Sequence, residues 1–151
     1  MRILMLGNSL TFANDLPGML AELTGAQVVH HTRGGARLSE QLNPKTRLGA
    51  QIRAAGAVPV LYATWAYRKD CPKLAAKGWS YEEMAHSMAE TCRTAARKNN
   101  ALLADVGQRF YQLSDTHNLY AADGVHPSEA GSRLAAETIA AAIQTHKENE
   151  S

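Results

Sequence analysis

The stretch RILMLGNSLT, residues 2–11, decides how the rest of the chain is read. Ile3, Leu4, Met5 and Leu6 run without alternation, the pattern of a parallel strand buried on both faces. Gly7 permits a tight exit, and Asn8, Ser9 and Thr11 follow at once. A strand Arg2–Leu6 that ends on glycine and hands over to a hydroxyl residue suits an α/β sheet, where ligands bind at the carboxyl ends of the strands. The apolar run is too short for a membrane span or a signal-peptide core.

Working outward, Pro17 falls in the first turn of a helix carrying Leu16, Met19, Leu20 and Leu23, which Gly25 ends. Gln27–His31, with Val28 and Val29, is a second strand, and Gly34-Gly35 makes a backbone corner after it. Leu48, Ile52 and Ala55 mark one side of a helix closed by Gly56. Ala57–Ala63 reads as a third strand that tolerates Pro59 near its beginning. Ser80 and Glu83 have capping-box spacing ahead of a helix with Met84, Ala85, Met88, Cys92, Ala95 and Ala96 on its apolar side. Ala101–Val106 is a fourth strand, followed by a short segment with Phe110 and Tyr111. Pro127 and Ser128 open a last helix, with Leu134, Ala135, Ile139, Ala142 and Ile143 on one side. The alternation predicts a three-layer α/β/α sandwich around a mostly parallel, flavodoxin-like sheet. At 151 residues the chain fits one domain, residues 1–146, with a polar tail from Lys147 to Ser151.

Charge excludes more than it assigns. Sixteen Lys and Arg against 14 Asp and Glu give +2 with the signs interspersed, so nothing argues for nucleic acid or an acidic membrane as partner. The densest basic stretch, Arg33, Arg37, Lys45 and Arg47, is interrupted by Glu40 and reads as solvated surface. Cys71 and Cys92 are too few for a disulfide scaffold, and His30 and His31 form no metal array with the other histidines. The expectation is a soluble, cytoplasmic protein that needs no metal or cofactor, its oligomeric state open.

Chemistry can assemble where strand ends meet. A serine hydroxyl is a poor nucleophile until a base takes its proton. His126 can do this through one ring nitrogen while Asp123, three residues earlier in DGVHPS, holds the other. Ser9 could equally cap a helix, and the Asp123–His126 pair could be a surface cap. Acyl transfer further requires donors aimed at the developing oxyanion. The amides of Ser9 and Gly35 suit that role, with Gly34 shaping the corner, and Asn8, Asn14 or the Thr64 hydroxyl as a third donor. Trp65, Tyr67, Trp79 and Tyr81 either wall a substrate cleft or pack the long connection onto the domain.

With GNSLT early, Gly34-Gly35 in the middle and DGVHPS late, the chain resembles the SGNH or GDSL-type serine hydrolases over nearly its full length. The resemblance implies a nucleophile at Ser9, an acid and base at Asp123 and His126, and an oxyanion-hole amide at the glycine corner. It departs from the family where YATWAY, Tyr62 to Tyr67, stands in place of a GxND block, so that Thr64-Trp65 occupies the position of the usual asparagine donor. The activity implied is hydrolysis of a short-chain or acetyl ester of a small molecule or carbohydrate. Two other classes compete: a flavodoxin-like small-ligand binding module, against which the GNSLTFAN loop lacks a phosphate-cradling glycine pattern, and a non-catalytic interaction domain retaining the fold.

Overall fold

The computed structural model describes residues 1–35, 54 and 57–149. β1 (Arg2–Gly7) leads into the one-turn helix α1 (Ser9–Phe12), a 3₁₀ turn (Ala13–Asp15) and α2 (Leu16–Thr24), and the chain returns through β2 (Gln27–Thr32). β3 (Val60–Tyr62), α3 (Pro72–Ala76), α4 (Tyr81–Lys98), β4 (Leu102–Ala104), α5 (Val106–Leu113) and α6 (Glu129–Asn149) complete the order. The helix expected around Leu48, Ile52 and Ala55, and the basic residues Arg37, Lys45 and Arg47, lie outside the described residues.

Helices flank a small parallel sheet. β1 pairs with β2 in the register Leu4↔Val29, and β3 pairs with β4 in the register Leu61↔Leu103, both parallel. Among the described residues these are two separate two-stranded ladders rather than the single continuous sheet expected. β3 is also shorter than Ala57–Ala63. Pro59 has no N–H to give, although its carbonyl accepts from Leu102 N–H at 2.9 Å, so the ladder begins at Val60. β4 stops at Ala104 because Asp105 caps α5, its carboxylate accepting from the Gln108 N–H. Val106 therefore starts a helix, and the Phe110–Tyr111 segment lies inside it.

Period-two alternation explains what each strand buries. Val60 and Tyr62 pack against the main core while Leu61, 3% exposed, faces the other way and is buried too. β1 departs from the two-sided burial its apolar run predicts. Met5 is buried, but Leu4 and its cross-strand partner Val29 are exposed at 52% and 48%. Ile3 and Met5 turn to the core, and among the described residues nothing covers the opposite face of that pair.

The core joins Met5, Leu16 and Leu20 to Val106, Phe110, Leu134, Ala135 and Ile139. At its centre Trp65 stacks on Phe110, ring centroids 4.1 Å apart, and Tyr120 meets Phe110 edge-on. α2 packs on α6 and β2, and α6 packs on β4, which also carries α4. The capping box of α4 forms as its spacing predicts: Ser80 Oγ accepts from Glu83 N–H at 3.1 Å, and Glu83 accepts from Ser80 N–H at 2.8 Å. α6 continues through Lys147 to Asn149, into the expected tail, supported by a Gln144 to Glu148 side-chain bond of 2.9 Å. Among the described residues no helix is long and apolar enough to cross a membrane.

Candidate active site

Ser9 is the first residue of α1. Asn8 precedes it in extended conformation and accepts the Leu10 N–H on its side-chain oxygen at 3.0 Å, an N-cap that turns the chain sharply out of β1. The first amides of a helix have no partner inside it, so the Ser9 N–H is available to a ligand. Thr11, buried on the same turn, hydrogen-bonds the Tyr62 hydroxyl at 3.1 Å and anchors α1 to β3. Burial pushes the Tyr62 phenol up to about 12, partly offset by that bond, so the group stays protonated at neutral pH.

The second half of the site lies 117 residues away in sequence. His126 Nε2 is 3.0 Å from Ser9 Oγ, and His126 Nδ1 is 2.6 Å from Asp123 Oδ2. Asp123 Oδ1 accepts the N–H groups of Val125 and His126, each at 3.0 Å. One carboxylate therefore folds the turn with one oxygen and faces the imidazole with the other. The His126 bond, followed by the two backbone amides, holds the Asp123 carboxyl well below the usual carboxylate range. Both side chains are open to solvent, 43% for Asp123 and 40% for His126.

What fixes this turn is visible in its carbonyls, since backbone oxygens withdrawn from water need donors. Five in succession are taken. Asp123 O accepts from Cys71 Sγ at 3.4 Å, Gly124 O from Arg68 N–H at 2.8 Å, Val125 O from Trp65 Nε1–H at 3.0 Å, His126 O from Ala121 N–H at 2.9 Å and Pro127 O from Asn14 Nδ2–H at 3.0 Å. Gly124 adopts φ +66°, and a Cβ there would press on Cys71 and Arg68, so glycine meets both demands of the turn. Cys71 is buried beneath the loop.

The other candidate residues are distributed unevenly. Arg33 N–H donates to Gly7 O at 3.0 Å, drawing the start of the Gly34-Gly35 turn beside the end of β1; Gly35 has φ +73°. Gly34 lines an open depression of about 520 Å³ with Phe12, Asp15, Pro17, His30 and Thr32. Thr64 makes no described hydrogen bond to Ser9 or His126; its carbonyl abuts Gly107 and limits that position to glycine. Trp65 corrects the cleft-wall expectation: it is 3% exposed, stacked in the core, and reaches the catalytic loop through its bond to Val125 O. Tyr67 lines a different hollow of about 280 Å³ with Lys77, Trp79, Met84, Ser87 and Met88, and Tyr81 is buried. Asn14, a candidate third donor, has both amide hydrogens committed, to Pro127 O and to Ser132 Oγ at 3.0 Å each. Among the described residues no cluster of three His, Cys, Asp or Glu could hold a metal ion. Sequence reasoning missed the supporting roles of Trp65, Cys71 and Arg68, for which spacing carries no signal.

No protein-family model and no curated protein matches the chain. Solved structures do. A protein from Slackia heliotrinireducens described as an SGNH hydrolase is 47% identical, with a TM-score of 0.83, over 95% of this chain and 98% of its own. Two more distant structures share the fold. An alpha/beta hydrolase enzyme from the metagenome of Lake Arreo is 13% identical with a TM-score of 0.72 over 95% and 94% of the two chains. An acetyl-xylooligosaccharide esterase from Geobacillus is 14% identical with a TM-score of 0.64 over 94% and 93%.

Proposed function

The chain belongs to the SGNH/GDSL-type hydrolase superfamily, and from that premise we propose that it is a serine esterase with Ser9 as nucleophile, His126 as general base and Asp123 as the group that orients the imidazole. The observation that carries this reading is the unbroken relay from Ser9 Oγ through His126 to Asp123 Oδ2, with steps of 3.0 and 2.6 Å. Those are hydrogen-bond distances, as transfer of the serine proton to the ring requires.

Ser9 Oγ attacks the acyl carbon as its proton passes to His126 Nε2. The carbonyl oxygen becomes an oxyanion, held by the Ser9 N–H at the start of α1 and the Gly35 N–H. Collapse expels the alcohol, which takes the proton from His126 and leaves an acyl group on Ser9. Water, deprotonated by the same nitrogen, attacks that acyl carbon; the second oxyanion collapses, releasing the acid and restoring the hydroxyl. Asp123 stays ionised throughout and stabilises the imidazolium that forms twice in the cycle. The Thr64-Trp65 pair stands where the family's third block supplies an asparagine donor, which leaves Thr64 as the third-donor position beside the two backbone amides.

The substrate is a short-chain or acetyl ester of a small molecule or carbohydrate. The half-exposed relay suits a small acyl group on an alcohol that projects into solvent. Because an acetyl-xylooligosaccharide esterase shares the fold, acetylated saccharides are the first panel to screen. The deciding experiment follows ester hydrolysis and covalent labelling by a fluorophosphonate in the wild type and in Ser9→Ala. Both should vanish in the variant; turnover that survives Ser9→Ala unchanged would falsify the assignment.

A further inference from the structure

His126 presents a difficulty that packing does not solve. Its side chain is 40% exposed, so beyond the Asp123 bond that orients the ring its position depends on the backbone on either side. The carbonyls flanking it, Val125 O and Pro127 O, are the two among those of residues 123–127 that take their donors from planar side-chain N–H groups. We propose that Trp65 and Asn14 are positioning residues for His126, gripping the peptides before and after it so that Nε2 stays within reach of Ser9 Oγ. The inference deepens the serine-esterase reading and rests on it.

Each donor is itself immobilised. The Trp65 indole is 3% exposed and lies parallel to Phe110, 6° between planes, and Phe110 is fully buried. A ring so confined presents its N–H as a fixed point rather than an adaptable contact. Asn14 is fixed differently. It adopts left-handed φ 51°, ψ 32°, next to Asp15 at φ 56°, a conformation that Asn and Asp reach more readily than other non-glycine residues. Its second amide hydrogen goes to the fully buried Ser132 Oγ, whose hydroxyl donates to Ala13 O at 3.2 Å. Asn14 follows Ser9 by five residues, in the 3₁₀ turn that adjoins α1, so this clamp ties the segment next to the hydroxyl to the loop bearing the imidazole. Trp65, the second member of the Thr64-Trp65 pair, thus acts on the base rather than on the oxyanion.

Two variants test this. Trp65→Phe retains an aromatic ring against Phe110 and deletes the N–H. Asn14→Gly deletes both donated bonds while leaving the left-handed backbone accessible. Displacements on the scale of 1 Å at a reacting pair cost about 10²-fold, so kcat and the fluorophosphonate labelling rate should each fall about 10- to 100-fold in either variant. KM should move far less, since neither side chain reaches substrate. The His126 ring resonances should move in the NMR spectrum of the folded variant, a response that loss of global stability alone does not produce. Folded variants with wild-type kcat and labelling and unmoved His126 ring resonances would overturn the proposal. Should Trp65→Phe fail to fold, the same measurements on Asn14→Gly decide the question. Should the wild type neither turn over esters nor label, the esterase reading fails, and the His126 ring resonances alone decide whether these two side chains govern the imidazole.

Discussion

Replacing Asp123 by asparagine separates the two tasks of its carboxylate. The amide oxygen of Asp123→Asn can still accept the Val125 and His126 N–H groups now bound at 3.0 Å, so the turn should survive. The other oxygen, 2.6 Å from His126 Nδ1, becomes an NH₂ group. That donor needs an acceptor, which forces the ring proton onto Nε2, where it opposes the Ser9 hydroxyl. A hydrogen bond to a charged partner is worth about 1.5–3 kcal/mol. At about 1.36 kcal/mol per decade, losing it slows catalysis about 10- to 150-fold. In buried serine-protease triads the inverted tautomer raises the loss to about 10⁴-fold. Here the side chains are 43% and 40% exposed, and water can solvate the imidazolium in part. The expected fall in kcat is therefore about 10²- to 10³-fold, between those limits. The assay is steady-state hydrolysis of a chromogenic acetate ester, with circular dichroism and a thermal melt on the same preparation. Asp123→Ala supplies the contrast, because it loses the turn as well and should melt earlier. A folded Asp123→Asn enzyme that keeps more than about a third of wild-type kcat would refute the reasoning, since it would show the charge and tautomer to be dispensable.

Three further outcomes follow from the same geometry. On acidification kcat/KM should decline along a limb of about tenfold per pH unit as His126 takes up a proton, and Asp123, whose carboxyl is held far lower, adds no second limb; a flat profile from neutral pH to the onset of unfolding would contradict the base assignment. Because the folded state depresses the Asp123 pKa, its contribution to stability is present above the ordinary value of about 3.9 and is lost as pH falls through the folded value, so the Asp123→Ala and wild-type melting temperatures should converge in strong acid. In Gly131→Ala, helix propensity favours alanine by about 1 kcal/mol, but the new Cβ runs into the Leu119 carbonyl and sits 3.0 Å from Phe110 Cζ, so overpacking of about 1–3 kcal/mol should prevail; an unchanged or raised urea midpoint would show that α6 simply shifts outward.

Much of this molecule could be read one residue at a time. The capping box at Ser80 and Glu83, proline in the first turn of α2 and the Gly25 cap depend on neighbours a few positions away, and so do the period of α6 and the Asp123 turn. The candidate triad was legible for the same reason, since DGVHPS encodes its own turn and GNSLT its own cap. Strand limits were less so, because Pro59 and Asp105 each end a ladder by a hydrogen bond given or withheld across the sheet.

Sequence alone determined the alternation of strands and helices and the residue types needed for acyl chemistry, because local backbone preferences and short-range hydrogen bonds are written in adjacent positions. Tertiary structure alone decided that Trp65 is a buried ring bonded to Val125 O, that Asn14 spends its amide on Pro127 and Ser132, and that Ser9 and His126 stand 3.0 Å apart. Those facts depend on which distant groups are left with an unpaired donor or acceptor once the chain has closed on itself, and satisfying buried polar groups is a property of the whole fold.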